Sequence, residues 1–244
     1  MQVDALALDL RPRAMPEAAD LGVRLVQSRA LSVWRSFAPT YAVVVLVALA
    51  TVEIAPWLPG LIIFWLKPWL DRCLLFALSR AVFGEETHFA DLWRARTQVM
   101  WRQWLVTLTL RRLSPWRSFT QAVYQLEGQR GAELRRRRKQ LLNGKRGSAI
   151  AMHLAFVHVE LVLAVGLIGL MLLFVPADRV SAAYDLLVRG EGIVPSLVMA
   201  ITYASVVFVL EPFYVAAGFA MYLNRRVELE AWDIEQEFRR AFAA

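Results

Sequence analysis

This chain has very little of what most catalytic chemistry needs. It contains one cysteine, Cys73, so no intramolecular disulfide can form and no thiolate cluster can gather a metal. Three histidines leave a zinc-type site poorly supplied. No G-x-S-x-G, H-E-x-x-H or paired-cysteine motif occurs. The stretch Asn143-Gly144-Lys145-Arg146-Gly147-Ser148 only superficially resembles a phosphate loop. The first glycine of that motif would fall on Lys139, and Arg146 stands where a magnesium-binding Ser or Thr is required. Nothing pairs a nucleophile with a base. The expectation is a protein that is not an enzyme, with no catalytic, cofactor-binding or metal-binding residue and no cofactor. The opening MQVDALALDLRPRAMPEAAD also lacks the basic start, apolar centre and small-residue cleavage site of a signal peptide. The first spanning helix is therefore expected to act as its own uncleaved signal.

Charge is scarce too, at 20% of residues, and apolar side chains make up 58%, with a mean hydropathy of +0.43. A soluble domain is nearer about 45–50% apolar, so the excess has to be buried in something other than the chain's own core, and long apolar runs point to a bilayer. Nine tryptophans, several at the ends of such runs, fit an interfacial belt. The expected fold class is all-α: a polytopic helical membrane protein with about four spans plus interfacial amphipathic helices.

Five regions follow along the chain. Residues 1–38 form an N-terminal cytoplasmic or interfacial region. Within it Val23, Val26, Ala30, Val33, Trp34 and Phe37 fall on one helical arc, with Arg24, Ser28, Ser32 and Arg35 opposite and Leu21 and Leu25 off the stripe. Pro16 suits the first turn of that helix. The helix either lies along the cytoplasmic interface or packs on the protein's own cytoplasmic loop. Residues 39–84 form a first helical hairpin, built on YAVVVLVALATV, a Pro56-Trp57-Leu58-Pro59-Gly60 turn, and a second segment interrupted by Lys67-Pro68-Trp69-Leu70-Asp71-Arg72. That segment is either a kinked full span with a polar stripe or two half-depth helices.

Residues 85–148 hold half of the chain's 28 Lys and Arg, which keeps this loop region in the cytoplasm. Met100 to Leu113 within it reads as an interfacial helix. Residues 149–224 form a second hairpin. Residues 225–244 form an acidic amphipathic helix on which Ala231, Ile234, Phe238, Ala241 and Phe242 share one face and Glu230, Asp233 and Glu237 another. Four spans with both termini inside satisfy these charge constraints.

Ionisable residues inside spans cost at least ~2.5–3.5 kcal/mol each on insertion scales, so each one asks for a reason. Glu211-Pro212 lies within the apolar run from Val194 to Leu223, roughly 20 Å from the inner-face arginines by helical rise. That places Glu211 in the outer half of the bilayer, at the depth of Lys67, Asp71 and Arg72. The expected intramembrane cluster is thus Lys67, Asp71, Arg72, Glu211 and Pro212, with Glu211 paired to Arg72 or Lys67. Pro212 would bend the helix and turn the carboxylate inward. The alternative is a substrate or proton site of the kind transporters build. A second polar group is expected from Arg80, His153 and Glu160, the last two seven apart on one face. The run Arg135-Arg136-Arg137-Arg138-Lys139 reads as a topology signal attracted to anionic lipid headgroups, or as a dock for an acidic partner or for the chain's own Glu230, Asp233 and Glu237. No nucleic-acid-binding module accompanies it.

Several motifs together resemble a group of uncharacterised bacterial inner-membrane proteins, commonly encoded beside a MoxR-type AAA+ ATPase, von Willebrand factor A-like proteins and a transglutaminase-like membrane protein. The motifs are Leu10-Arg11-Pro12-Arg13 with Ala19-Asp20-Leu21-Gly22, Lys67-Pro68 with Asp71-Arg72, and Leu78-Ser79-Arg80-Ala81-Val82-Phe83-Gly84-Glu85. Further along are Ser114-Pro115-Trp116-Arg117-Ser118-Phe119 with Gln125-Leu126-Glu127-Gly128, and Glu211-Pro212-Phe213-Tyr214-Val215-Ala216-Ala217-Gly218-Phe219 with Tyr222-Leu223-Asn224-Arg225-Arg226 and Leu229-Glu230-Ala231-Trp232-Asp233-Ile234-Glu235. Such proteins often continue into a further domain, so this chain is expected to be a split version or the membrane module alone. The resemblance implies a setting, an inner-membrane complex serviced by an ATPase chaperone, and no reaction. The functional expectation is a scaffold or anchor subunit in contact with anionic lipid and with complex partners that include an AAA+ ATPase. A transporter or lipid-handling subunit is the alternative.

Overall fold

The computed structural model describes residues 12–109, 111–190 and 192–230. The described residues are predominantly helical, with no strand among them. The order is α1 (Met15–Ser28), α2 (Ala30–Leu49), α3 (Leu58–Ala81), α4 (Phe89–Arg94), a π-helical turn (Thr97–Trp101), α5 (Trp104–Leu108), α6 (Arg117–Gln125), α7 (Gly131–Leu142), α8 (Arg146–Leu173), a 3₁₀ turn (Ala177–Arg179), α9 (Val180–Arg189) and α10 (Ile193–Glu230). Three of these, α2, α8 and α10, are long and apolar enough to cross a membrane. The second segment of the first hairpin is one uninterrupted helix, α3, which runs through Pro68. Two half-depth pieces are therefore not what this sequence forms. Pro68 is tolerated because the lost hydrogen bond lies on a stretch of helix enclosed by protein, with Lys67, Pro68 and Leu70 to Leu75 all buried.

α2 and α3 form a hairpin whose ends meet. The Thr87 amide donates to Ser32 Oγ at 2.8 Å, bringing the chain after α3 back to the start of α2. α8 and α10 meet in the same way: Lys145 Nζ pairs with Glu228 at 3.0 Å, and Arg225 donates to the Asn143 carbonyl at 3.1 Å. At this end Asn224 brackets the backbone of Arg13, accepting from its amide and donating to its carbonyl, each at 2.9 Å. Both hairpins thus close on the same side of the bundle, the first about level with Phe213, on which Trp34 packs, and the second further along α10 at its basic end.

α1 leaves the expected stripe. Leu25 is buried along with Ala18, Gly22 and Val26, and the helix ends at Ser28 so that α2 starts at Ala30 instead of Pro39. Its partner is the lower half of α10. There Gly22 lies against the Ala216 backbone so closely that a Cβ on Gly22 would collide with the Ala216 carbonyl. α6 packs on the same stretch of α10, where Gly218 leaves room for Ser118. Small residues let helices approach until their backbones touch, and the contact is dispersive.

α6 belongs to the region expected to be a cytoplasmic loop, yet every residue from Arg117 to Tyr124 is buried. The expected helix over Met100 to Leu113 is also absent. In its place are the π turn, five residues of α5 and an irregular climb, because Gln103 takes a left-handed φ of 58° and breaks the helix. The two arms of this hairpin sit against α3 on one side and α10 on the other, with the turn at Ser114-Pro115-Trp116. Exposed Trp101, Trp104, Leu105 and Val106 give its outer edge an apolar surface.

Gly218→Ala is expected to lower stability by ~1–3 kcal/mol, the cost of overpacking a closed contact. Gly166→Ala on α8, where nothing lies within 4 Å, should leave it unchanged or raise it by up to about 1 kcal/mol. Thermal melting of both variants in mild detergent checks the difference.

Candidate functional site

Five charged side chains from four helices form an alternating chain. Glu160 (α8) Oε2 lies 2.7 Å from Lys67 (α3) Nζ, and the same ammonium lies 2.8 Å from Glu211 (α10) Oε2. The other oxygen of Glu211 accepts from Arg117 (α6) Nη2 at 3.0 Å, and Arg117 Nε lies 2.8 Å from Asp71 (α3) Oδ2. Each cation is thus flanked by two carboxylates. Lys67, Asp71, Arg117 and Glu211 are all at least nine-tenths buried, so their mutual attraction is little screened. Removing one member would leave an opposite charge buried without compensation.

Helix geometry explains how they meet. Lys67 and Asp71 are four apart on one face of α3 and point at α10 and α6. Glu211 precedes Pro212, whose missing N–H leaves the Phe208 carbonyl without its usual intrahelical donor. Arg117 starts α6 near Gly218, seven residues from Glu211, and its long side chain extends back along α10 to reach the carboxylate. Tyr214, one turn beyond Glu211, lies under the Arg117 guanidinium at 5.1 Å and shares a 3.0 Å hydrogen bond with His153 Nδ1.

Arg72 is not part of this chain. Its guanidinium faces the opposite side of α3, where it donates to the carbonyls of Arg102 and Gln98, the latter at 3.2 Å. The irregular backbone between Thr97 and Trp104 leaves carbonyls that no helix ladder satisfies, and a five-donor fork in a protein interior fills them. The pairing of Glu211 with Arg72 is therefore wrong, and that with Lys67 is observed. Arg80 is not beside Glu160 either; it pairs with Glu85 at 3.1 Å. His153 and Glu160 instead line one cavity with Lys67 and Glu211.

The depth assigned to Glu211 loses its basis. It assumed that the whole run from Val194 to Leu223 faces lipid, but from Glu211 to Asn224 α10 is enclosed by α1 and α6, and within the run the last exposed apolar residue is Val209. Thirty residues at about 1.5 Å each exceed a hydrocarbon core of roughly 30 Å, so part of the run had to be buried in protein.

Arg117 escaped the sequence reading, as did Arg112, Tyr203 and Tyr214, which line the same cavity. The segments read as spans balance on paper, with Asp71, Glu160 and Glu211 against Lys67, Arg72 and Arg80, and the need for another cation shows only once Arg72 and Arg80 are seen to turn elsewhere.

At the basic end a second knot holds α10. Arg137 grips Glu127 through two nitrogens, with contacts of 3.0 to 3.2 Å, and also contacts Glu230. Tyr222 donates to Glu127 at 2.6 Å, and Arg226 pairs with Glu230 at 2.6 Å. Burial works against the charge on Arg137, but the hydrogen bonds it donates to Glu127 and Glu230 raise its pKa above the ordinary arginine value. Of the expected docking residues, Arg135 and Arg136 are exposed and Arg138 is half-buried, while Asp233 and Glu237 lie outside the described residues. Among the described residues no three His, Cys, Asp or Glu side chains are grouped to hold a metal ion.

In a double-mutant cycle, Arg117→Gln and Glu211→Gln should couple by ~1–3 kcal/mol, whereas Arg72→Gln and Glu211→Gln should add within about 0.5 kcal/mol. Chemical or thermal unfolding in detergent reads both, and equal couplings would contradict the charge chain.

Compared with protein-family models, curated proteins and solved structures, the chain matches none.

Proposed function

We propose that this chain is an integral inner-membrane anchor that crosses the bilayer four times and presents its basic end to a partner complex. Three helices have the length and hydropathy to cross. α3 returns beside the start of α2, which makes the fourth crossing follow from the first. The exposed apolar side chains support this placement. At about 1.5 Å per residue, Ile193 to Val209 on α10 covers roughly 24 Å and Leu154 to Phe174 on α8 roughly 30 Å, the thickness of a hydrocarbon core. The charge chain then lies in the inner part of that belt, with Glu160 about 9 Å in from Leu154 by helical rise, and the basic end faces the cytoplasm by the positive-inside rule.

The observation that carries the anchoring reading is the saturation of the charge chain. Lys67, Arg117, Glu211 and Asp71 are occupied with one another, so they bind α3, α6 and α10 together, with α8 joined through Glu160, instead of offering a free group to a moving ion. Below them, α7 is fastened at Arg137 while Arg130, Arg135, Arg136 and Lys139 are all exposed. A fastened helix with an exposed basic face suits an acidic protein surface. The motif resemblance supplies the setting, an inner-membrane complex with an AAA+ ATPase. A second reading, lipid handling, is favoured by one observation, the cavity beside the charge chain.

Affinity purification at native expression level tests the anchor. Wild type should elute with a stoichiometric partner. The Arg135→Glu, Arg136→Glu, Lys139→Glu variant should lose that partner at least tenfold while still inserting and melting normally. Wild type eluting with lipid alone would contradict the proposal.

A further inference from the structure

The cavity beside the charge chain has a volume of about 450 Å³ and opens between α3, α8 and α10. Its walls are apolar, with Phe64, Phe156, Val157, Leu161 and Leu210 facing it. Leu161 and Phe64 are 63% and 46% exposed, which places its mouth in the lipid-facing belt. Its floor is charged. Lys67 and Arg117 on that floor are each held by two carboxylates, but Arg112 is not. Arg112 is only 9% exposed, its guanidinium stacks on the Phe64 ring at 3.7 Å, and its Nε and Nη2 have no hydrogen-bond partner among the described residues. Ser114, two residues on and also lining the cavity, has a buried hydroxyl in the same condition. A desolvated guanidinium with unmet donors is unfavourable unless an acceptor reaches it.

The charge count narrows the acceptor's nature. Asp71, Glu160 and Glu211 bring three negative charges, and Lys67, Arg117 and Arg112 bring three positive ones. The floor is already balanced, so a ligand with net charge would leave that charge uncompensated in a low dielectric. A headgroup that carries its own opposite charges avoids this cost. Glu160 can still receive the positive half: Lys67 engages it through Oε2, Tyr203 is its other hydrogen-bonding neighbour, and its side chain is 20% exposed.

We propose that this cavity binds a zwitterionic phospholipid, with the headgroup phosphate on Arg112 and Ser114, a primary ammonium directed at Glu160, and an acyl chain leaving between α3 and α8 past Phe64 and Leu161. The guanidinium fork matches phosphate oxygens, and the apolar walls take the place of neighbouring lipid tails. The site goes beyond the anchoring reading and stands without it, since an anchor that loses its protein partner would still retain the lipid.

Native mass spectrometry of the purified full chain tests it. The protein is delipidated and titrated with phosphatidylethanolamine, phosphatidylglycerol and phosphatidylcholine of matched acyl chains, and with acyl-free glycerophosphoethanolamine. One phosphatidylethanolamine per chain should bind in preference to the others. Arg112→Gln should weaken it at least tenfold, with Arg112→Lys between the two. Should Arg112→Gln fail to fold, Ala164→Trp, which fills the apolar wall away from the charges, should produce the same loss at an unchanged melting temperature. Phosphatidylglycerol binding as tightly would overturn the zwitterionic assignment, and phosphatidylcholine binding as tightly would overturn the role of Glu160. Glycerophosphoethanolamine of equal affinity would overturn the amphiphile. Unchanged affinity in both Arg112→Gln and Ala164→Trp would overturn the site.

Discussion

The Glu211 carboxylate, shared between Lys67 and Arg117 at 2.8 and 3.0 Å, is the constraint on which the rest of the molecule depends. A carboxylate in an apolar helix is tolerated only where cations surround it, and here the two cations come from different elements. Lys67 brings α3 and, through Glu160, α8. Arg117 brings the hairpin from the connecting region and, through Asp71, a second grip on α3. One side chain therefore sets the register of four helices. The close contacts of Gly22 on Ala216 and Ser118 on Gly218 can form only in that register.

Because Arg117 must reach Glu211, the chain between α3 and α8 cannot remain a surface loop. It climbs along α3, turns at Ser114-Pro115-Trp116 and descends as α6 beside α10. Its irregular half needs carbonyl partners, which Arg72 supplies. Arg111, another arginine buried in this climb, stacks on Tyr124 at 3.5 Å. The basic residues of this region thus serve different ends. Some hold an interior backbone together, one completes the charge chain, and others lie on the exposed face of α7.

Much of the architecture was legible because hydropathy and charge report directly on solvent. The two hairpins, the helical class, Lys67 as a partner of Glu211, and His153 and Glu160 on one face all followed from period and composition. What was not legible depended on which partner an apolar surface meets. The run from Val194 to Leu223 reads the same whether lipid or α1 and α6 cover it, so its length gave no measure of the depth of Glu211. Arg72 and Arg117 are alike as letters, and only the face of α3 that each meets separates them. α6 carries Ser118, Thr120 and Gln121 in its core, and a helix so polar gives no sequence sign of burial. Charge counting gave no clue to Arg117, because Arg72 and Arg80 balance the carboxylates in the sequence but not in space.

The central claim is that the connecting region contributes a core helix locked by Arg117, and amide hydrogen exchange in lipid nanodiscs tests it most directly. The amides of Arg117–Gln125 should exchange as slowly as those of residues 211–224, while those of Gly131–Gln140 on α7 exchange much faster. Exchange of Arg117–Gln125 at the rate of α7 would contradict it and return the region to a cytoplasmic loop.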